Sequence, residues 1–477
     1  MNTHRYIARI VLEADTPLFV GSGDSSLLKD ALVQRGFNGL PMIPGTALTG
    51  VLRHSILDVL DEKLEEKSKW EQIFGYQERN KGVGSRLRIS SAYMMVNENQ
   101  VAEGLHIAID EKVKVKYDNL PSRQHVRIDH KGVAEKGKLF DNDVVYKGTL
   151  FKFEIELIGD KTDENNWQEI INKIHGPLFR LGQGTRNGYG KLKINSIKSK
   201  IFDLTNDADF NDYTDFDASL NNDTYLGDLK INDLDQSENL LNYKLELTPD
   251  SDFFIFSEGY GDTDVDNKPL EEEVAFYNNR TIEFDHQTVI PASSIKGALA
   301  HRTAFHFNKL KEHWADNLNT KDDKARETQI KLWTGIFNDA VFELFGAEGG
   351  AKREEGAHRG KVIIDDLYYS DKELKNNKIF NHVAIDRFTG GAMEGALFSE
   401  KVSQLVGVHK IKLEIVIEKS STSQYVIEAF ENALLDITKG LLPLGGMTTK
   451  GMGIFTGTLK KNEEAITQHH LKIDSHE

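Results

Sequence analysis

Polar and apolar positions alternate from the start of the chain, with Tyr6, Ala8, Ile10 and Leu12 on one face, which predicts a strand half-buried against a core. It runs into PLFVGSGDSS, a turn-rich stretch. Pro44 and Thr46 then open a helix whose apolar positions, Leu48, Leu52, Ile56, Val59 and Leu60, recur at helical spacing. RLRISSAYMM from Arg86 predicts a second strand, a long polar insert holds HVRIDHKGVAEKGKLF from His125, and GTLFKFEIELIG at Gly148 predicts a third strand. NNWQEIINKIHGPLFRL at Asn165 reads as a second helix and KLKINSI at Lys191 as a fourth strand. The order β-α-β-β-α-β is that of a ferredoxin-like, RNA-recognition-type domain, so the expected fold class is α+β.

The order then repeats. NYKLELTPDSDFFIF at Asn242 answers the first strand, and VIPASSIKGALAHRTAFH at Val289 answers MIPGTALTGVLRHSILDV. ELFGAEGGAKREEGAHRGKVIIDDLYY at Glu343 answers QIFGYQERNKGVGSRLRISSAYMM at Gln72, and HVAIDRFTGGAMEGALF at His382 answers the block at His125. LGQGTRNGYG, Leu181 to Gly190, returns roughly 260 residues later as LGGMTTKGMG, Leu444 to Gly453, matched at Leu181/Leu444, Gly182/Gly445, Thr185/Thr448, Gly188/Gly451 and Gly190/Gly453. Matched blocks in one order make an internal duplication. The expected organisation is a first domain over residues 1–200, an acidic linker or insertion over 201–240, a second domain over 241–462 and a polar tail over 463–477.

Composition changes this picture in one respect. The formal net charge is −16, which opposes a nucleic-acid partner, but residues 201–240 carry ten Asp and one Glu against Lys230 alone, a net of −10. The imbalance therefore belongs mostly to one segment, which reads as a linker or an insertion lying over a surface. No cysteine is present, so disulfides and thiolate metal sites are excluded, and no apolar run of 18 residues or signal-like start is found, so a cytoplasmic protein without a membrane partner is expected.

Three features, in both halves, carry a family resemblance: the glycine-rich loop after the second helix, the IPGTALTG- or IPASSIKG-like helix start, and the H-V-x-I-D…G-x-L-F block. Together they resemble the RAMP superfamily of CRISPR-associated proteins, in particular backbone subunits of type III effector complexes, and a fused pair of such units is similar to proteins of type III-D-like systems. The resemblance implies a thumb β-hairpin inserted in each domain. It implies subunits that wrap the CRISPR RNA beside other effector subunits, including a large polymerase-like one. It also implies that complementary target RNA is cut next to thumb-displaced nucleotides, in a reaction that uses a loop Asp and Mg²⁺ or Mn²⁺.

Carried onto this chain, the catalytic and metal-holding Asp is Asp30, ahead of GLPMIPGTALTG, with Asp24 as a second candidate. In the second half the matching place holds Glu271, Glu272 and Glu273 of LEEEVAFYNNR, of which Glu272 and Glu273 are the catalytic candidates; Asp264 and Asp266 read as turn residues. For RNA contact the glycine loops offer Gly182, Gly184, Arg186 and Gly188, and Gly445, Gly446, Lys450 and Gly451, since glycine allows positive φ and close approach of a backbone. Arg53 and Lys296 are expected near helix N-termini, where a phosphate is favoured. Arg123, Arg127, His130 and Lys131 on the first thumb, and Arg387 with Phe388 on the second, mix charge with wedge character. His125 and His382 read as hairpin packing residues. Two alternatives keep the family: a structural RNA-binding subunit without chemistry, and a metal-independent CRISPR RNA processing endoribonuclease using His54 and His301. No cofactor motif supports a small-molecule enzyme.

Overall fold

The computed structural model describes residues 2–24, 31–57, 64–79, 81–105, 107–128, 133–231, 239–257, 259–314, 316, 318, 322–347, 356–419 and 422–470. In chain order the elements used below are β1 (His4–Ala14), α1 (Gly45–Leu57), β2 (Leu87–Ile89), β3 (Ser122–Ile128), β4 (Ala134–Asp143), β5 (Leu150–Gly159), α2 (Glu164–His175), β6 (Leu192–Asp203) and α3 (Asp207–Thr214). They continue with β7 (Leu240–Pro249), β8 (Glu271–Tyr277), β9 (Ile282–Ile290), α4 (Ala292–Leu310), β10 (Val362–Ile364), β11 (Leu374–Ile385), β12 (Ala392–Leu405), β13 (Ile411–Glu418), α5 (Gln424–Thr438) and β14 (Phe455–Lys461).

The protein is α+β, and its sheets are antiparallel between these strands. In the first half the strands lie side by side as β6-β1-β5-β2, with Ala92–Asn97 also on β5. In the second the order is β14-β7-β13-β10. Each half has its own core. Tyr6, Ala8, Ile10 and Leu12 are buried with Leu48, Leu52 and Ile56 of α1 and Trp167, Ile170, Ile171 and Ile174 of α2. The α1 periodicity is borne out as far as Ile56; Val59 and Leu60 lie outside the described residues. Leu241, Tyr243, Leu245 and Leu247 play the same part against α4 and α5.

The halves are not beads on a string. LEEEVAFYNNR, expected to match the loop of the catalytic Asp, is instead strand β8 with the turn at Asn278 that begins a hairpin with β9. The β-branched and aromatic run V-A-F-Y followed by Asn-Asn is a hairpin signal. This hairpin reaches into the first half, where Ala275 and Ile282 join the first core. Ala275 N–H donates to Lys147 O at 2.8 Å, and the Tyr277 hydroxyl donates to Met95 O at 3.1 Å. At Gly148, with φ +87°, a Cβ would stand 1.9 Å from Ala275 O, so only glycine admits the approach.

Lys191 ties the halves further, bridging Asp15 at 3.1 Å and Asp365 at 3.2 Å, while Lys147 also holds Asp15 at 3.1 Å. Burial opposes the Asp15 charge, but Lys147 and Lys191 hold its carboxyl down at about 2 against an ordinary 3.8. A depressed carboxyl contributes stability that is complete above its unfolded pKa and is lost as pH falls through the folded one. Asp15→Asn is thus expected to cost on the order of 2 kcal/mol in urea unfolding above pH 4, a gap that closes as pH falls from 4 towards 2. A gap unchanged over that range would show that the carboxylate charge does not hold this joint.

Candidate nucleic-acid interface

The two glycine loops share one internal geometry. Leu181 N–H donates to Gly190 O at 3.0 Å and Leu444 N–H to Gly453 O at 2.8 Å, while Gln183 N–H bonds Phe19 O at 2.8 Å and Gly446 N–H bonds Ile255 O at 2.7 Å. A Cβ at Gly182 would lie 2.1 Å from Phe19 O, and one at Gly445 would lie 2.4 Å from Ile255 O. These glycines are therefore required by close approach of the chain to its own backbone, not first by a phosphodiester. Gly451, with φ +84°, is different: a Cβ there would meet open space, and Gly451 and Lys450 are exposed.

The first loop faces the second half. At Gly188 (φ +102°) a Cβ would stand 2.2 Å from Asp366 Oδ1 and 3.0 Å from the Ala292 side chain, so the loop sits on the start of α4. Arg186 donates to Gly360 O at 2.8 Å and pairs with Glu418, and Arg180 pairs with Asp365 at 2.5 Å. Lys296 Nζ donates to Asn187 Oδ1 at 3.1 Å, and burial and then Arg186 push its pKa down to about 8. Asp366 Oδ1 caps α4 by accepting from Ala292 N–H at 2.7 Å, where the first half has Ser91 accepting from Gly45 N–H at 3.3 Å. Lys296 stands in the second turn of α4 and Arg53 in the third turn of α1, where it donates to Gly75 O at 3.2 Å. Neither residue is in the first turn, where the helix dipole acts most strongly.

The second-half carboxylates are all engaged, two of them across the joint. Glu272 receives the Arg123 guanidinium through two bonds of 2.6 Å and the Tyr368 hydroxyl at 2.6 Å. Glu273 pairs with Lys116 at 2.5 Å, and Glu271 accepts from Asn376 at 2.7 Å. Arg123, expected on the RNA side of the first hairpin, is buried and also pairs with Asp366 at 2.5 Å, its guanidinium 5.0 Å from the Tyr189 ring centroid. Burial disfavours its charge, yet Asp366 and then Glu272 hold it protonated well above the ordinary value. Sequence reasoning missed Asp366. The signal was the divergence of the copies, ISSAY at Ile89 against IDDLY at Ile364, an acidic pair where the other copy has serines.

Asp30 falls in residues 25–30, outside the described residues. A cleft of about 400 Å³ is lined by Ser22, Asp24, Leu32, Val33, Gln34, Arg35, Asp118 and Asp143. Asp24 is exposed, Arg35 donates to Gly39 O at 2.7 Å and to Tyr117 O at 2.8 Å, and Asp118 pairs with Lys114 at 2.6 Å. Carboxylate oxygens are the donor chemistry of Mg²⁺ and Mn²⁺, but Asp24, Asp118 and Asp143 do not together come within metal-ligand spacing, and Glu272 and Glu273 of β8 are taken up by their own cations.

Two hairpins project from the halves. β3 and β4 form one, with Val126 and Ile128 exposed; His130 and Lys131 and the side chains of His125 and Arg127 lie outside the described residues. β11 and β12 form the other, closed by Asp386, whose carboxylate accepts from Phe388 N–H at 2.7 Å. Phe388 at its tip is 100% exposed, and Arg387 beside it is exposed too. Along its strands His382 stacks on Phe398 at 4.8 Å and pairs with buried Glu400 at 3.2 Å, a packing role. Lys450 of the second glycine loop lies 4.1 Å from the Phe398 ring centroid, so loop and hairpin touch. Asp264 and Asp266 lie in a turn, where Asp262 accepts from Asp264 N–H and Asp266 from Ser399 N–H.

Among the described residues, one cluster has metal-ligand spacing: His306, Asp436 and His469, far along the second half. Asp436 already accepts from both imidazoles at 2.7 Å and from Arg302, and Lys439 meets His469 Nδ1 at 3.3 Å. Two cations beside it supply the compensating charge that a metal would bring.

A family model described as the RAMP superfamily matches residues 11–193 and again 271–456. The chain belongs to the RAMP superfamily. One matched stretch falls in each half of the duplication. The chain is also similar to the CRISPR system Cms endoribonuclease Csm3 of Streptococcus thermophilus, at 24% identity over 193 residues, which is 38% of this chain and 78% of that protein. No helix among the described residues is long and apolar enough to cross a membrane.

Proposed function

We propose that this RAMP protein is a fused double backbone subunit of a type III CRISPR effector complex, of type III-D-like organisation, which binds CRISPR RNA and cuts complementary target RNA. The observation that carries the reading is the joint. The glycine loop of the first half is seated on the first helix of the second, a head-to-tail contact between unlike surfaces, with the second loop and the second hairpin tip left exposed. The sheet orders support two ferredoxin-like units, and the two hairpins support thumbs. In such an assembly sequence specificity lies in base pairing, and the protein reads backbone shape and charge.

On this reading Lys450 and Gly451 meet the guide backbone, and Phe388 wedges against a base. Burial opposes the charge of Lys296, and a phosphate beside it would favour that charge. Asp30, with Asp24 at the mouth of the cleft, would hold a Mg²⁺ or Mn²⁺ ion, which when bound supplies Lewis-acid chemistry at the scissile phosphate. The partners are other type III subunits, including a large polymerase-like one, in the cytoplasm. The alternatives are a guide-binding subunit without chemistry and a processing nuclease built on His54 and His301.

The test is co-expression with neighbouring effector genes and a CRISPR array. Guide RNA protected from nuclease in regular blocks is expected with the purified complex, and its absence would refute the reading. Within that complex Phe388→Ala, whose ring is fully exposed, is expected to leave thermal unfolding within about 0.5 kcal/mol of the parent. The same change is expected to weaken target RNA binding by about 1–3 kcal/mol, the range for one base–aromatic stack. Unaltered target binding would remove the wedge role.

A further inference from the structure

We propose that the outward face of the first sheet is a latent binding face for single-stranded RNA, held shut by the chain's own acidic segment, residues 204–226.

The strand registers set the face. Arg9 lies opposite Glu154 and Lys198, Val11 opposite Lys152, Ile7 opposite Glu156 and Lys200, and Arg5 opposite Phe202. These side chains share the side of the sheet turned away from α1 and α2. Five cations, Arg5, Arg9, Lys152, Lys198 and Lys200, thus stand there with two glutamates, a surplus of positive charge in a chain that is acidic as a whole.

The segment answers that surplus group by group. Arg9, 1% exposed, donates to the carbonyl oxygens of Ser219 at 2.6 Å, Asp217 at 2.5 Å and Asn222, and the Phe216 ring centroid lies 4.6 Å from its guanidinium. Lys152 is gripped by both oxygens of Asp223, at 2.8 and 2.9 Å, and Lys198 reaches the same carboxylate at 3.3 Å. Lys200 pairs with Asp212 at 2.6 Å and Asp209 at 3.2 Å, and Tyr213 lies 5.9 Å from the Arg5 guanidinium. Anionic groups spaced along a chain, with planar rings set over cations, are what a single strand of RNA would offer the same face. Leu220 and Leu226, both buried, anchor the segment.

The second sheet shows what an uncovered face looks like here. Its outward Lys244, Glu246, Lys412, Glu414 and Lys460 are exposed, and Lys244 pairs with Glu463 at 2.5 Å and Lys410 with Glu246 at 3.1 Å, so charge is balanced close to the sheet. On the first sheet Arg9 also reaches Glu154 at 2.8 Å and Arg5 reaches Glu156 at 3.4 Å, but Lys152, Lys198 and Lys200 are balanced by a separate segment, which lies within the 40 residues holding most of the chain's net charge. The consequence is selectivity. RNA is kept off the sheet and left to the loop and hairpin side.

The experiment uses the full chain and a labelled 20-nucleotide oligouridine, read by anisotropy across a salt series. Asp209→Asn/Asp212→Asn/Asp223→Asn is expected to bind it ~10-fold more tightly than the parent at low salt, with a salt slope steeper by about 2, as for three new phosphate contacts on a single strand. Asp207→Asn/Asp215→Asn/Asp371→Asn makes the same change in net charge at three exposed positions and is expected to gain less than ~2-fold. Adding Lys152→Gln/Lys198→Gln/Lys200→Gln to the first triple is expected to cancel its gain. Equal gains in the two triples, or a gain that survives loss of the three lysines, would overturn the proposal. So would no gain in a triple that melts like the parent. If the first triple does not fold, Asp223→Asn alone, which releases Lys152 and Lys198, is expected to gain ~3-fold, and no gain there is equally fatal.

Discussion

Arg123→Ala is expected to lower the unfolding free energy of the inter-half joint by about 3–5 kcal/mol, the cost of leaving buried carboxylates without their cation. The side chain is 6% exposed and serves two carboxylates from the other half of the chain, Glu272 through a fork of two bonds and Asp366 through one. Asp366 is fully buried and also caps α4, so removing the guanidinium leaves a charge that neither water nor another cation can reach. Burial already raises the Asp366 carboxyl against the pull of Arg123. Without that pull it takes up a proton at higher pH, and part of the loss will appear as proton uptake on folding. Arg123→Lys is expected to recover less than half, because an ammonium cannot serve a fork and a second carboxylate together. Urea unfolding followed by tryptophan fluorescence measures both. A surface RNA contact predicts the reverse, weaker RNA binding with unchanged unfolding, and that result would return Arg123 to the nucleic-acid interface.

The two readings of Arg123 mark what the sequence could carry. Period-two and helical patterns identify β1, α1, β5, α2 and β6, because each buries one face against a core made within its own half. The duplication was equally legible, since matched glycines and helix starts need no knowledge of what they touch. Contacts between the halves were not. Arg123, Arg186 and Glu272 look like surface charges in a one-dimensional reading, and only the docking of the first glycine loop and the β8–β9 hairpin makes them partners. Glu272 and Glu273 read as loop ligands, whereas they stand on strand β8, and their cations, Arg123 and Lys116, come from the other half. The acidic segment was recognised by composition, but its cations, on β1, β5 and β6, carry no pattern that points to it.

With Asp30 replaced by alanine, target RNA cleavage at the first half is expected to fall by ~10²-fold or more, the size of effect seen when a positioned group in a transition state is lost. The argument rests on asymmetry between the halves. The first has an open cleft with Asp24 exposed at its edge and Asp118 and Asp143 in its lining. The second has Glu271, Glu272 and Glu273, each engaged by Asn376, Arg123 or Lys116. A carboxylate already neutralised by an arginine fork would have to break that fork to take a metal ion, and the joint would weaken with it. Only the first half is therefore expected to cut, so that cuts fall once per fused chain and not once per unit. Glu273→Gln leaves the Glu272 fork intact and is expected to keep every cut in place. Chelation by EDTA is expected to stop cleavage, and Mg²⁺ or Mn²⁺ to restore it in the parent but not in Asp30→Ala. Persistence of all cuts in Asp30→Ala with metal supplied would dismiss the assignment. Cleavage of free repeat RNA in EDTA, lost in His54→Ala, would instead move the chemistry to the first helix and make the protein a processing nuclease.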